Sequence, residues 1–295
     1  MLIGSKPLSE IIAKLPGLDE ERAKEEYLAI LEVFSEFLED TLPELSDSEE
    51  IIEALSDLRA EFAIRYALEG FDLDYETALE LIREDVGLSD EDEERRKIVV
   101  AAIDNIVDFT VMSEYHMLED IEEEIAELEI ESEEDLELAK EEIILAIFKK
   151  YNSQFANIEN LDIKHAMVVA SILATIESST TLTYRTQGDH RVRPWHAQYE
   201  GFSAPKRDFP AWLIPPIEHG CRCYLTMEAG VISSVKNKVV RFPEMPENFN
   251  RAFKESVALG GRIFSDEHPY FTVNNEHVDM LERIANTIKS KYING

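Results

Sequence analysis

Cys221 and Cys223 are the only thiols in 295 residues, and a single residue separates them. On an extended strand, residues i and i+2 point to one face, so both sulfurs would be presented together. A His nitrogen from a neighbouring loop would then complete a soft sulfur–nitrogen donor set of the kind that zinc prefers. His196, His219 and His190 are the available nitrogens. The candidate metal ligands are therefore His196, His219, Cys221 and Cys223, with zinc as the expected ion. The competing reading makes both thiols small buried hydrophobes and His196 a hydrogen-bonded core histidine. A disulfide between neighbours two apart would be strained, and two cysteines make no disulfide framework. The sequence predicts a reduced, cytosolic protein.

The surrounding stretch, Tyr184 to Leu225, holds three His, two Trp, two Cys, five Pro and six Lys/Arg in 42 residues. Proline removes amide donors and fixes φ, so this segment cannot form long regular elements. Side-chain contacts or a ligand must hold it. Arg185, Arg191, Arg193 and Arg222 stand close in sequence to Asp189, Glu200 and Glu218, and Arg–carboxylate forks could lock such a loop. Internal pairing is expected for most of these arginines, with contact to DNA phosphates left open for one or two. Trp195 and Trp212 read as core plugs rather than stacking platforms.

The elements that position this segment differ on its two sides. Only Pro7, Pro16 and Pro43 precede residue 194, whereas eight prolines lie between 194 and 269. From Leu18 to about Ser178 the pattern is helical. Ala23, Tyr27, Ile30, Leu31, Phe34, Phe37 and Leu38 recur at three- and four-residue spacing, with Pro43 as the stop. Ser46 and Glu49 form a capping-box pattern before Ile52, Leu55, Leu58 and Phe62, and Gly70 closes that helix. A short helix runs from Tyr75 to Val86 and stops at Gly87. Ser89 with Asp92 opens another, carrying Val99, Ile103, Ile106 and Val107. Further helices are expected near 115–130, 134–152 and 160–178. From Thr181 short β-type runs appear, Thr181–Tyr184 and Cys223–Thr226, and Asn275 to Tyr292 returns to helix. The predicted fold class is α+β: a mainly helical N-terminal domain (1–180) followed by a small α+β C-terminal module (181–295).

The net charge is −33. So anionic a chain is repelled by nucleic acid and anionic membranes unless its positive charges are segregated. Residues 181–243 are the basic exception, with nine Lys/Arg against five Asp/Glu. Residues 119–142 hold 14 carboxylates and one Lys. That run reads first as a solvated helix face, since Ile121, Ile125 and Leu128 mark an apolar stripe, and second as a surface for a basic partner. The longest apolar run, Ala166 to Ile176, is well short of the roughly 18–20 residues of a membrane span. No membrane association and no secretion signal are expected.

The ordered run Tyr184-x-Thr-x-Gly-Asp189-x-Arg191-Val-Arg193-Pro194-x-His196-x-x-x-x-Gly201, followed by a Trp, Pro215-Pro216 and Cys221-Arg222-Cys223, resembles the phage Mu F-like minor head protein (head morphogenesis) family. The resemblance covers about residues 170 to 228, and weakly the tail at Phe242-Pro243 and His268-Pro269-Tyr270-Phe271. In many relatives a His stands three residues before the first Cys; here Glu218 holds that place and His219 follows it. The upstream Arg-Thr-Glu signature is reduced to Thr175-Ile176-Glu177. The resemblance implies a non-enzymatic structural protein of a tailed phage or prophage. It would be packaged in the procapsid, reside in the virion head after assembly in the bacterial cytoplasm, and act in head assembly or DNA delivery. Its implied partners are portal protein, major capsid protein or scaffold, with DNA as a further contact. The helical N-terminal part would bind those partners.

A metal-dependent nuclease is the alternative, because Asp189-His190 with His196 superficially resembles His-Asn-His nucleases, in which a His activates water beside a metal-bound phosphate. The charge of −33 opposes a grip on DNA. A zinc deaminase requires H-x-E and P-C-x-x-C. His196-Ala197-Gln198 and Cys-Arg-Cys do not match it. The residues after Cys223 offer no nucleophile–base pair and no Gly-rich phosphate loop.

Overall fold

Asp19 accepts from the backbone N–H groups of Glu21 and Arg22 and so caps α1 (Glu20–Leu38), whose first turn is also acidic, as the helix dipole favours. The computed structural model describes residues 19–38, 48–83, 88–130, 132–228 and 242–293. The expected stops at Pro43 and Gly87 and the Ser46 half of the capping box lie outside the described residues. Helices α2 (Glu49–Gly70), α3 (Tyr75–Arg83), α4 (Asp90–Ala126), α5 (Glu133–Lys149) and α6 (Ala156–Ala174) follow. Strands β1 (Thr181–Arg185), β2 (Ser203–Pro205) and β3 (Tyr224–Glu228), the single-turn α7 (Pro194–Ala197) and the closing α8 (Val278–Tyr292) complete the order. The fold is mainly helical α+β. No helix among the described residues is long and apolar enough to cross a membrane.

Two expectations change. The stretches around 99–107 and 115–130 are one 37-residue helix, α4, because no Gly or Pro interrupts residues 90 to 126. Its start is as expected: Asp92 N–H donates to Ser89 Oγ at 3.1 Å, and the Ser89 hydroxyl donates to the Asp92 carboxylate at 2.7 Å. Likewise the gap between the 134–152 and 160–178 stretches is bridged by a π-helical turn, Lys150–Phe155, that runs α5 into α6.

The helices give way to strands at Thr181, but spatial units do not follow chain order. One compact unit gathers Tyr66–Ala102 and Leu161–His268; the other gathers Leu18–Arg65, Ile103–Asn160 and Pro269–Gly295. In the first, β1 is the centre of an antiparallel sheet of order β2-β1-β3, with Leu182 opposite Ala204 and Met227. Gly70 ends α2 where a Cβ would lie 2.4 Å from the Lys164 carbonyl oxygen of α6. Close backbone approach therefore demands the glycine, and the left-handed residue after the helix is Asp72, φ 58°.

The second unit is built on apolar faces. Phe34 of α1 stacks on Phe148 of α5 with ring centroids 4.5 Å apart. Leu281, Ile284 and Ile288 of α8 are buried, and Lys289 binds Asp104 and Asp108 at 2.7 and 2.6 Å. At its centre Arg59 is 4% exposed, yet charged. Its guanidinium donates to Ser113 Oγ and Glu114 Oε1, each at 2.7 Å, and to Glu159. Asn152, turned inward by the π-helical turn, donates to the second Glu114 oxygen at 3.1 Å, and the Tyr270 hydroxyl to Glu159 at 3.3 Å. Burial alone would lower the Arg59 pKa, but the two carboxylates outweigh it and hold the guanidinium above its ordinary value.

Such a network is costly to break and cheap to replace whole. Arg59→Met leaves Glu114 and Glu159 buried without their counter-charge and should cost about 3–5 kcal/mol in urea unfolding followed by circular dichroism. Adding Glu114→Leu and Glu159→Leu should restore most of that loss. An Arg59→Met chain as stable as the parent would show that the guanidinium does not carry the core.

Candidate metal centre

Pro194 sits at the first position of α7, where its missing N–H and fixed φ favour helix entry. The single turn places His196, 2% exposed, over the two thiols. His196 Nδ1 is 3.3 Å from Cys223 Sγ and 3.9 Å from Cys221 Sγ. Zinc bonds of about 2.3 Å to sulfur and 2.0 Å to nitrogen, at tetrahedral angles, set a nitrogen–sulfur separation near 3.5 Å. The two observed distances bracket that value, and the three donor atoms all lie within 4.8 Å of one another. These three buried groups could hold a metal ion.

The cysteines meet differently from the strand expectation. Both precede β3, and the chain enters them through Gly220 at φ 65°, where an L side chain would be strained. Cys223 N–H points at Cys221 Sγ across 3.5 Å. The sulfurs converge through a local turn, not through the pleat of a strand.

The remaining groups hold this arrangement from outside. Glu218 Oε2 lies 3.1 Å from His196 Nε2 and accepts from Trp195 Nε1 at 3.0 Å, while Glu218 Oε1 pairs with Arg193 Nε at 3.1 Å. A carboxylate on Nε2 favours the tautomer that carries the proton there and leaves the Nδ1 lone pair facing the sulfurs. Arg193 also donates to the His219 carbonyl at 2.8 Å. Arg222 grips Asp189 through both nitrogens, at 2.9 and 2.7 Å, and Gln187 donates to the Arg222 carbonyl. That fork holds the Asp189 carboxyl down at about 2. Arg185 pairs with Glu200, and Gly201, φ 80°, donates its N–H to Tyr184. Pro215 and Pro216 are joined by a cis bond.

His219 is not brought to the thiols. Its Nδ1 meets Asp162 at 3.0 Å and its ring stands edge-on to Phe253, with centroids 4.8 Å apart. The Asp162 carboxylate also takes the Gly220 N–H at 2.9 Å, so it fixes the turn into Cys221. Burial raises the Asp162 pKa, against the pull of His219. His165 Nδ1 meets the Cys221 carbonyl at 3.0 Å, and burial takes its pKa down to about 4. Asp162 and His165 went unrecognised in the sequence, although two polar residues three apart at the head of the longest apolar run share one helix face.

Thiol chemistry follows the same geometry. Burial pushes the Cys221 thiol up, while the hydrogen bond from Cys221 takes Cys223 down. The Tyr184 hydroxyl is fully buried with no nitrogen or oxygen partner, and the two thiols face it. A buried hydroxyl needs a partner, and the Cys223 sulfur beside it is the one the fold supplies. No family model matches the chain, and no curated protein or solved structure matches it either.

The buried His165 gives a pH signature. Its folded pKa lies below the unfolded 6.5, so on acidification the unfolded chain binds this proton first and stability falls. In metal-free protein with chelator, His165→Gln should remove about 2 kcal/mol of the stability lost between pH 7 and 5. Urea midpoints at the two pH values measure it. Parent and variant with equal acid sensitivity would contradict a neutral, buried imidazole.

Proposed function

We propose that this chain is a structural minor head protein of a tailed phage or prophage, its signature segment held together by a zinc ion on His196, Cys221 and Cys223. The observation that carries the reading is the meeting of the signature positions. Residues far apart in the ordered motif, Asp189 with Arg222 and His196 with Cys221 and Cys223, clasp one another. Two thiolates and an imidazole are the donor set that zinc takes from a reduced cytoplasm. The bound ion would staple a proline-rich segment that no long helix or strand can hold. Binding energy of this kind is folding energy. His196 is a ligand in this reading and not a general base, because Glu218 occupies its other nitrogen.

The acidic helices supply the other half of the reading. A chain of net charge −33 favours basic protein faces over DNA, so portal, major capsid protein or scaffold are its partners during assembly in the bacterial cytoplasm and within the head. Elemental analysis of the purified chain should find about one zinc per molecule. Cys221→Ser with Cys223→Ser should abolish that zinc and lower the melting temperature. Tagged protein should co-purify with portal from procapsids. Absence from heads and virions would defeat the assembly role, and a zinc-free chain would defeat the staple.

A further inference from the structure

Three protein ligands leave a tetrahedral ion one position short. Among the described residues no fourth His, Cys, Asp or Glu joins the group. Glu218 is held on the far nitrogen of His196 by Arg193 and Trp195, and His219 is committed to Asp162. His196 and Cys223 instead form one wall of a small half-open cleft whose other walls are Gln187, Arg191, Val192, Arg193, Gly220 and Arg222. Resting on the metal reading above, the geometry points to an exchangeable fourth ligand: an external oxyanion that enters this cleft, gives one oxygen to the ion and is held by the arginines.

Charge and size both select that ligand. Two thiolates cancel a dication, and the cleft's three guanidiniums outnumber Asp189 and Glu218, the carboxylates that pair with two of them. An anion therefore meets an excess of positive charge in a partly desolvated cleft, where its attraction is stronger than in open water. Arg191 is the free member: its guanidinium makes no ion pair among the described residues, while its backbone N–H donates to Asp189. A guanidinium fork matches the oxygens of a carboxylate or a phosphate. The enclosed part of the cleft has room for roughly one water-sized atom, so a single oxygen enters and the rest of the anion stays outside. Beside Gly220 a Cβ would meet nothing within 4 Å, which leaves this side of the entrance open.

Cobalt(II) in place of zinc reports the fourth ligand through its visible ligand-field bands. The full-length chain, loaded with one equivalent of cobalt, is titrated with acetate and, separately, with inorganic phosphate at constant ionic strength. Saturable band changes are expected with at least one anion, and the comparison says which source of oxygen the site prefers. Arg191→Ala and Arg191→Gln should keep one cobalt per chain and weaken the anion about tenfold, the loss of one charge-assisted contact. Bands that ignore both anions while cobalt stays bound one-to-one would overturn the open position. Undiminished anion binding in both Arg191 variants would overturn the role of that arginine. A chain that takes up no cobalt would overturn the metal reading along with this one.

Discussion

An imidazole has two nitrogens, and the chemistry of this protein turns on where each of those of His196 points. Nε2 toward Glu218 fixes the ring and its proton, so Nδ1 faces Cys221 and Cys223 as a lone pair. Several contacts in the segment serve that orientation. Trp195 and Arg193 hold Glu218, while Asp162 and His165 hold the backbone on either side of Cys221. The Asp189–Arg222 fork closes the loop between them. Loss of Glu218 would free the ring to rotate, and the donor atoms would no longer converge.

The segment needs this many tethers because its backbone supplies few of its own. Prolines at 194, 205, 210, 215 and 216 remove five amide donors within 23 residues, and the sheet beside them has one long strand pairing, β1 with β3. Side chains and backbone carbonyls take over the task that helix and sheet ladders perform elsewhere. A metal ion on His196, Cys221 and Cys223 would be the strongest single tether available to such a segment.

The helical unit solves a different problem with the same logic. Its core contains a full positive charge at Arg59, and Glu114, Glu159, Ser113 and Asn152 each satisfy part of that network. A buried network of this kind adds little net stability compared with packed apolar residues, but it penalises any register in which one partner is displaced. The π-helical turn at Lys150–Phe155 belongs to this device. It rotates Asn152 toward Glu114, and it sets the Tyr151 hydroxyl and Lys150 Nζ each 2.9 Å from Asp120.

The sequence alone determined the helical periodicities, the Ser89–Asp92 start, the end of α2 at Gly70, the strand at Thr181 and the paired thiols of Cys221 and Cys223, while the choice of His196 over His219 beside them came from the tertiary structure. These features are written locally, in spacings of two to four residues or in two thiols with one residue between them. Tertiary structure decided the rest. It joined the stretches on either side of 110 and of 155 into continuous helices, since only packing tells a uniform polar–apolar pattern where to stop. It sent His219 to Asp162 rather than to the sulfurs, because the buried carboxylate that takes the Gly220 N–H at the turn also meets the His219 ring. And it recruited Glu218, Asp162, His165 and Arg59 into buried networks, where partners lie 22 to 100 residues apart. No local pattern encodes such distances. The cost of leaving a buried charge or polar group unpaired selects those partners, and that cost exists only once the chain has closed around them.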